Sequence, residues 1–145
     1  MKTMILYVLL LGGALLALGM FARSLAAEPP SQPDRGAVGA TVTHVDAPGA
    51  ATLIREKRVV ILDIRTPEEY ADGHIAGSTN IDFSTRDFEK KLSALNRTNT
   101  YLVHCASGGR STRSVESFKK LGFKSVVHLD GGFRAWKKAG EPVAK

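Results

Sequence analysis

Cys105 is the single cysteine of the chain, and it stands in the run Tyr101-Leu102-Val103-His104-Cys105-Ala106-Ser107-Gly108-Gly109-Arg110-Ser111. Apolar strand-forming residues end at this thiol, a glycine-bearing loop follows, and a helix is expected to start near Ser111. A tight loop into a helix N-terminus gathers main-chain N–H groups into a concavity that suits an anion. Gly108 and Gly109 permit the positive φ values and close approach such a loop needs. Arg110 adds a planar cation able to chelate an oxyanion. The same field favours the thiolate and draws a thiol from its ordinary ~8.5 toward ~3.5–7.5. The pattern points to a nucleophilic sulfur that shares its loop with a small anionic substrate. The competing reading, a small apolar cysteine buried at a strand end, leaves the glycines, the arginine and the helix start unexplained.

Other chemistry finds less support. One cysteine excludes an intramolecular disulfide and any zinc site built from several thiolates. His44, His74, His104 and His128 include no pair three or four residues apart, so no helical metal pair arises and no metal is expected. His104 precedes Cys105 on a strand and faces the opposite side of the sheet, which gives it a packing role. His74 is expected to satisfy local hydrogen bonds, and Trp136 to sit in the core. Net charge is +6, but bases and acids interleave, as in Arg86-Asp87-Phe88-Glu89-Lys90-Lys91. That is a solvated helix face rather than a nucleic-acid footprint.

The elements that must position the thiol follow from periodicity. Val42–Val45 reads as a short strand, and Pro48 opens a helix that runs to Lys57. Arg58–Asp63 is a β-branched run typical of a strand buried on both faces. Thr66 caps a short helix beginning at Pro67, with acids in its first turn, and Gly73 closes it. Residues 78–81 suggest a brief strand, 85–95 a helix, and 101–104 the strand before the thiol. A helix over 111–121 carries Val115 and Phe118 on one face. Val126–Leu129 is the last strand and 133–139 the last helix. Strands alternating with helices predict an α/β fold with a largely parallel sheet.

The 145-residue chain has an atypical front. Met1 and Lys2 precede an apolar stretch from Ile5 to Phe21, then Ala22-Arg23-Ser24-Leu25-Ala26-Ala27. A cationic start, an apolar stretch and small residues before a cut form a secretory signal, with Ser24 and Ala26 at the −3 and −1 positions of a cut after Ala26. The apolar stretch also reaches the lower limit of ~17–25 residues for a spanning helix, so residues 1–26 read as a signal peptide or a membrane anchor. Either puts the remainder outside the cytoplasm, in a bacterial periplasm by analogy, with membrane contact only through this segment if it is uncleaved. Residues 27–40, rich in Pro, Gly and polar groups, read as a linker. Residues 41–141 form the domain and 142–145 a tail.

Three ordered motifs resemble the rhodanese-domain family. Leu62-Asp63-Ile64-Arg65-Thr66-Pro67-Glu68-Glu69-Tyr70, followed by Gly73-His74-Ile75-Ala76-Gly77-Ser78 and Asn80-Ile81, looks like its N-terminal signature. Cys105 to Ser111 looks like its active-site loop, and Leu129-Asp130-Gly131-Gly132-Phe133-Arg134-Ala135-Trp136 like its C-terminal signature. The resemblance runs from about Val42 to Gly140. It implies a five-stranded parallel sheet with helices on both faces and thiosulfate sulfurtransferase chemistry without a cofactor. Cys105 would carry the persulfide. Ala106, Ser107, Gly108, Gly109, Arg110 and Ser111 would surround the transferred sulfur, and Asp63 and Arg65 would form a charged pair that shapes the fold near the site.

The implied partners are a small anionic sulfur donor and a small thiol, protein thiol or cyanide as acceptor. Two other functions compete. Thiol phosphatases and some arsenate reductases separate cysteine from arginine by five residues, whereas only Ala106, Ser107, Gly108 and Gly109 intervene here. The shorter loop leaves less room for a tetrahedral phosphoryl group. Alternatively the domain is an exported module that carries or senses sulfur with little turnover, since no second thiol in the chain can discharge Cys105.

Overall fold

A computed structural model describes residues 39–145. The expected export segment, 1–26, and all but the last two residues of the expected linker lie outside the described residues. Among the described residues, no helix is long and apolar enough to cross a membrane.

Five strands form one sheet in the order β1-β5-β4-β2-β3, and every pairing is parallel. They are β1 (Thr41–Val45), β2 (Val60–Asp63), β3 (Thr79–Asn80), β4 (Thr100–His104) and β5 (Ser125–Leu129). The helices are α1 (Ala47–Arg55), α2 (Pro67–Ala71), α3 (Phe88–Ser93), α4 (Gly109–Lys120) and α5 (Gly132–Lys138). Side chains alternate across each strand, so the sheet buries two separate cores. Leu62, Tyr101, Val103 and Val126 pack with Phe88, Leu92 and Phe118 of α3 and α4. Ile61, Leu102, Val127 and Leu129 pack with Ala50 and Ala51 of α1 and with Phe133 and Trp136 of α5. β4 lies at the centre of the order, and Cys105 follows its last residue on the α3/α4 side.

Local signals set the helix starts. Asp46 caps α1 by accepting from the Gly49 N–H at 2.9 Å, with Pro48 in the first turn. Thr66 caps α2 reciprocally: its hydroxyl accepts from the Glu69 N–H, and the Glu69 carboxylate accepts from the Thr66 N–H. Each such cap satisfies main-chain donors that the helix leaves free.

Most boundaries fall within one or two residues of the sequence expectation, and three differences have a local cause. β2 starts at Val60 rather than Arg58, because Lys57 takes a left-handed conformation and the Arg58 N–H closes a turn on Leu53. α3 spans 88–93 rather than 85–95, because Asp82 holds Ser84 and Thr85 in a preceding turn. α4 starts at Gly109, two residues early, and its buried face is Ser111, Ser114 and Phe118, while Val115 is only half-buried. That face meets the end of β4 and β5 at close range, where small polar residues fit. Residues 142–145 are tied to the domain: Ala144 bridges His74 in antiparallel fashion, and Trp136 Nε1–H donates to the Pro142 carbonyl at 2.8 Å.

Candidate active site

The site is the connection from β4 to α4. Gly108 has φ +104°, the left-handed conformation that turns the chain into the helix, and it is the N-cap residue of α4. The turn aims the Gly108 N–H at the Cys105 sulfur, N···Sγ 3.1 Å. The Ser111 hydroxyl, in the first turn of α4, lies 3.5 Å from the same sulfur. Cys105 itself is 1% exposed, so the sulfur forms the floor of the loop. Ser107 and Gly109 are exposed at its rim, with Ala106 and Arg110 half-buried.

Burial is the largest single influence on the thiol and works against its charge. The Ser111 hydroxyl and the main-chain N–H groups of Ser111, Ser107 and Gly108 together outweigh it, and the thiol is held below its ordinary value. Ionisation at this sulfur thus depends on hydrogen bonds to the charged form rather than on exposure.

Arg110 lies in the thiol loop, near enough to Cys105 for the sulfur to favour its charge, but its fork is turned to α2. Its guanidinium is engaged by Glu69 of α2, with Nη1 2.7 Å from Oε2 and Nη2 2.8 Å from Oε1. That fork is already filled by a carboxylate, so it is not free to chelate a substrate oxyanion from this position. The Arg110 hydrogen bonds, opposed by burial, pull the Glu69 carboxyl down to about 2. Glu69 therefore caps α2 and tethers the loop at once. Sequence reasoning assigned it only to the first turn of the helix.

Asp63 and Arg65 lie under the loop, 0% and 4% exposed. Arg65 Nε–H reaches both Asp63 carboxylate oxygens at 2.9 and 3.0 Å, and Nη2 donates to the Gly73 carbonyl at 2.8 Å. The guanidinium carbon lies 4.1 Å from the centroid of the Phe133 ring. The pair thereby joins the end of β2, the turn after α2 and the start of α5. Neither group contacts the sulfur.

α5 closes the loop from behind. The Phe133 and Arg134 N–H groups donate to the carbonyls of Cys105 and Ala106 at 2.8 and 3.0 Å. A side chain on Gly132 would fall on the Cys105 carbonyl oxygen and 2.9 Å from the Ser107 nitrogen, and Gly132 has φ +58°. The glycine allows the backbone contact that fixes the loop. Beside Ala106 a cleft of 270 Å³ opens, bordered by Arg65, Glu69, Phe133, Arg134 and Lys137.

The histidines separate into distinct settings. His104 is fully buried opposite Cys105, and burial, opposed by Asp63, holds its pKa below the ordinary value. Its Nε2 has no hydrogen-bond partner among the described residues, Asp63 Oδ2 being 3.6 Å away. His74 stacks on Tyr70 with ring centroids 3.9 Å apart, and its Nδ1 lies 3.1 Å from the Tyr70 carbonyl oxygen. His44 and His128, far apart in sequence, are register partners on β1 and β5. Both direct Nδ1 at Asp130 Oδ1, at 2.8 and 3.1 Å. The spacing rule that excluded a helical histidine pair could not foresee this one across strands.

Comparison with known proteins agrees with this geometry. A family profile, Rhodanese-like domain, matches residues 46–139. The chain is 39% identical over 92 residues to thiosulfate sulfurtransferase GlpE of Pseudomonas paraeruginosa, covering 63% of this chain and 81% of that protein. It is 35% identical over 92 residues to the chloroplastic thiosulfate sulfurtransferase 16 of Arabidopsis thaliana, covering 57% of this chain and 77% of that protein. The crystal structure of a rhodanese-related protein from Thermoplasma volcanium superposes with TM-score 0.64 at 35% identity, covering 70% of this chain and 97% of that one. The matched span contains strands β2 to β5, the β4–α4 loop and the helix that closes it, and the chain belongs to the rhodanese-like domain family.

Proposed function

We propose that the protein is a sulfurtransferase that moves sulfane sulfur from thiosulfate or a related anionic donor to a thiophilic acceptor through a persulfide on Cys105. The single observation that carries this reading is the sulfur itself, set among the N–H groups of its own loop and the Ser111 hydroxyl. In the first half-reaction the Cys105 thiolate attacks the outer sulfur of thiosulfate. The new S–S bond forms as the sulfur–sulfur bond of the donor breaks, and the electron pair leaves with sulfite. In the second, a thiolate or cyanide attacks the outer persulfide sulfur and departs with it, which restores the thiolate. Each half-reaction conserves charge without a proton transfer, so no general base is required.

The loop supports a role for Ala106 to Ser111 as a cradle for one added sulfur atom. Because Cys105 lies at its floor, the donor must present a projecting sulfur rather than a broad group. Asp63 and Arg65 act by holding the loop from below. Discharge needs an outside acceptor, since the chain has no second cysteine. A phosphatase reading is disfavoured by Glu69, which fills the Arg110 fork that a phosphoryl group would need.

The test is sulfite release from thiosulfate with cyanide as acceptor, paired with intact-mass measurement. Wild type should turn over by ping-pong kinetics and gain the mass of one sulfur atom when donor alone is added. Cys105→Ser should do neither; parental turnover in that variant sinks the assignment. A stable one-sulfur adduct with negligible turnover across thiol acceptors would favour a carrier instead.

We also infer that residues 1–26 direct export, on the strength of the cationic start, apolar stretch and Ser24/Ala26 site. N-terminal sequencing of protein recovered from a periplasmic fraction should begin at Ala27. An intact Met1 on membrane-bound protein would identify an anchor, and recovery from the cytosol would overturn export.

A further inference from the structure

Two strands of the sheet bring two imidazoles to one carboxylate. His44 on β1 and His128 on β5 are register partners, so both side chains leave the same face of the sheet. Their Nδ1 atoms lie 2.8 and 3.1 Å from Asp130 Oδ1, and the three atoms lie within 4.8 Å of one another. The Asp130 N–H donates to the Val45 carbonyl at 2.8 Å, which fixes the backbone of the carboxylate to the end of β1. His128 is buried, whereas His44 and Asp130 are exposed. The cluster therefore has one fixed nitrogen and two donors open to solvent.

This donor set suits a zinc-type cation. Imidazole nitrogens with a carboxylate oxygen bind Zn²⁺ and its neighbours in the series, whereas Ca²⁺ and Mg²⁺ take shells of oxygen. Bonds of ~2.0–2.2 Å in a tetrahedral shell put the donor atoms roughly 3.3 Å apart. The two nitrogen-to-oxygen distances are already close to that spacing, and the exposed His44 ring can turn to complete it. The hydrogen bond from His44, opposed by burial and joined by that from His128, holds the Asp130 carboxyl below its ordinary value. It stands as a carboxylate.

The rings can also supply the lone pairs. A carboxylate only accepts, so each Nδ1 carries its proton toward Asp130 when no cation intervenes. A cation takes the Nδ1 lone pair, and the proton resides on Nε2 instead. For His128 a partner stands ready: Nε2 lies 2.9 Å from Ser111 Oγ, and the serine can give its own hydrogen to the Gly108 carbonyl, 2.9 Å away. Metal-bound imidazoles donate their second N–H to such a partner, which fixes the ring. The change of tautomer leaves the heavy atoms of this buried chain in place and puts no charge on the ring.

We infer that His44, His128 and Asp130 bind one divalent cation of the zinc class through the two Nδ1 atoms and Oδ1, with the fourth position left to water, and that the cation clasps β1 to β5. The expectation that no metal binds rested on helical spacing, which does not reach a pair made across strands. The inference does not depend on the role of Cys105.

The experiment is calorimetric titration of Zn²⁺ into the full chain carrying Cys105→Ser, which removes the thiol as a competing ligand. The same titration is run with His44→Ala or Asp130→Asn added. Both additions change exposed side chains, and circular dichroism verifies the fold. The parent should bind one equivalent, and each addition should weaken binding by at least about tenfold. Mg²⁺ should not bind. Nitrogen-resolved NMR of the imidazoles in the wild-type chain provides a second readout. Zn²⁺ should move the Nδ1 signals of His44 and His128 and leave those of His74 and His104 in place. No binding by the parent, unchanged affinity in either folded variant, equal binding of Mg²⁺, or a shift confined to His74 or His104 would overturn the inference.

Discussion

Arg110 is held by Glu69 in a two-pronged ion pair, 2.7 and 2.8 Å, that ties the loop at the end of β4 to the first turn of α2. Both side chains are partly exposed, at 24% and 35%, so the pair works less by strength than by geometry. It keeps a cation at the rim of the loop while denying it to solutes.

Removing one partner should therefore change substrate handling more than folding. Glu69→Gln leaves the Arg110 fork uncompensated beside the sulfur, and thiosulfate can use it. The expected result is a lower KM for thiosulfate, stronger inhibition by sulfite and sulfate, and a loss of about 1 kcal/mol or less in stability. Steady-state kinetics with anion competition would check it, and an unchanged anion response would refute this role for the pair.

Gly132 should tolerate no side chain. Alanine there must adopt φ +58° and push against the Cys105 carbonyl and the Ser107 nitrogen. The conformation alone costs about 1–2 kcal/mol, and relief of the contact requires the loop to move. Gly132→Ala should fold with a reduced denaturant midpoint and lose most sulfite release. Retention of full activity would show that the loop is not set by this contact.

Activity should depend on pH through the thiol. Burial opposes ionisation, but hydrogen bonds from Ser111 and the loop N–H groups prevail and hold the thiol below its ordinary value. The thiolate population, and with it the first half-reaction, should fall away on the acid side of a midpoint lying below the ~8.5 of a free cysteine. A pre-steady-state rate of persulfide formation measured against pH would locate it. A midpoint at or above the free-thiol value would contradict the hydrogen-bond account.

His104 should make stability sensitive to mild acid. Burial depresses its pKa in the folded state, whereas the unfolded chain accepts a proton near pH ~6.5. The unfolded state binds more protons, so stability is complete above about 6.5 and declines as pH falls toward the folded value. Glu69 adds a separate loss only as pH falls from 4.5 to about 2. Denaturant midpoints between neutrality and pH ~5 should drop for wild type and stay flatter for His104→Leu, which also removes a buried nitrogen without a partner. Parallel pH profiles would exclude His104 as the cause.

Much of this architecture could be read from local sequence. The apolar runs before Asp63 and His104 mark buried strands, and the sequence from Thr66 to Glu69 marks a helix start, because those signals act within a few residues. The thiol loop is legible for the same reason: strand end, glycines and helix start are contiguous. The partners chosen across the fold are not. Glu69 meets Arg110 only because α2 packs beside the loop, and His44 meets His128 only through the register of β1 on β5. Nor does periodicity disclose that α4 buries Ser111 and Ser114, since a polar face is ordinarily turned to solvent. A helix whose first turn packs on the Cys105 sulfur reverses that habit.

The strand order has a consequence for how the molecule is made. Among the described residues β1 is the first strand, yet the strand it pairs with is β5, the last of the five. During translation the beginning of the domain must wait, unpaired, until β5, more than 80 residues later, has left the ribosome. Such distant pairing slows folding and leaves an open edge in the interim. The sheet closes late, from its last-made strand.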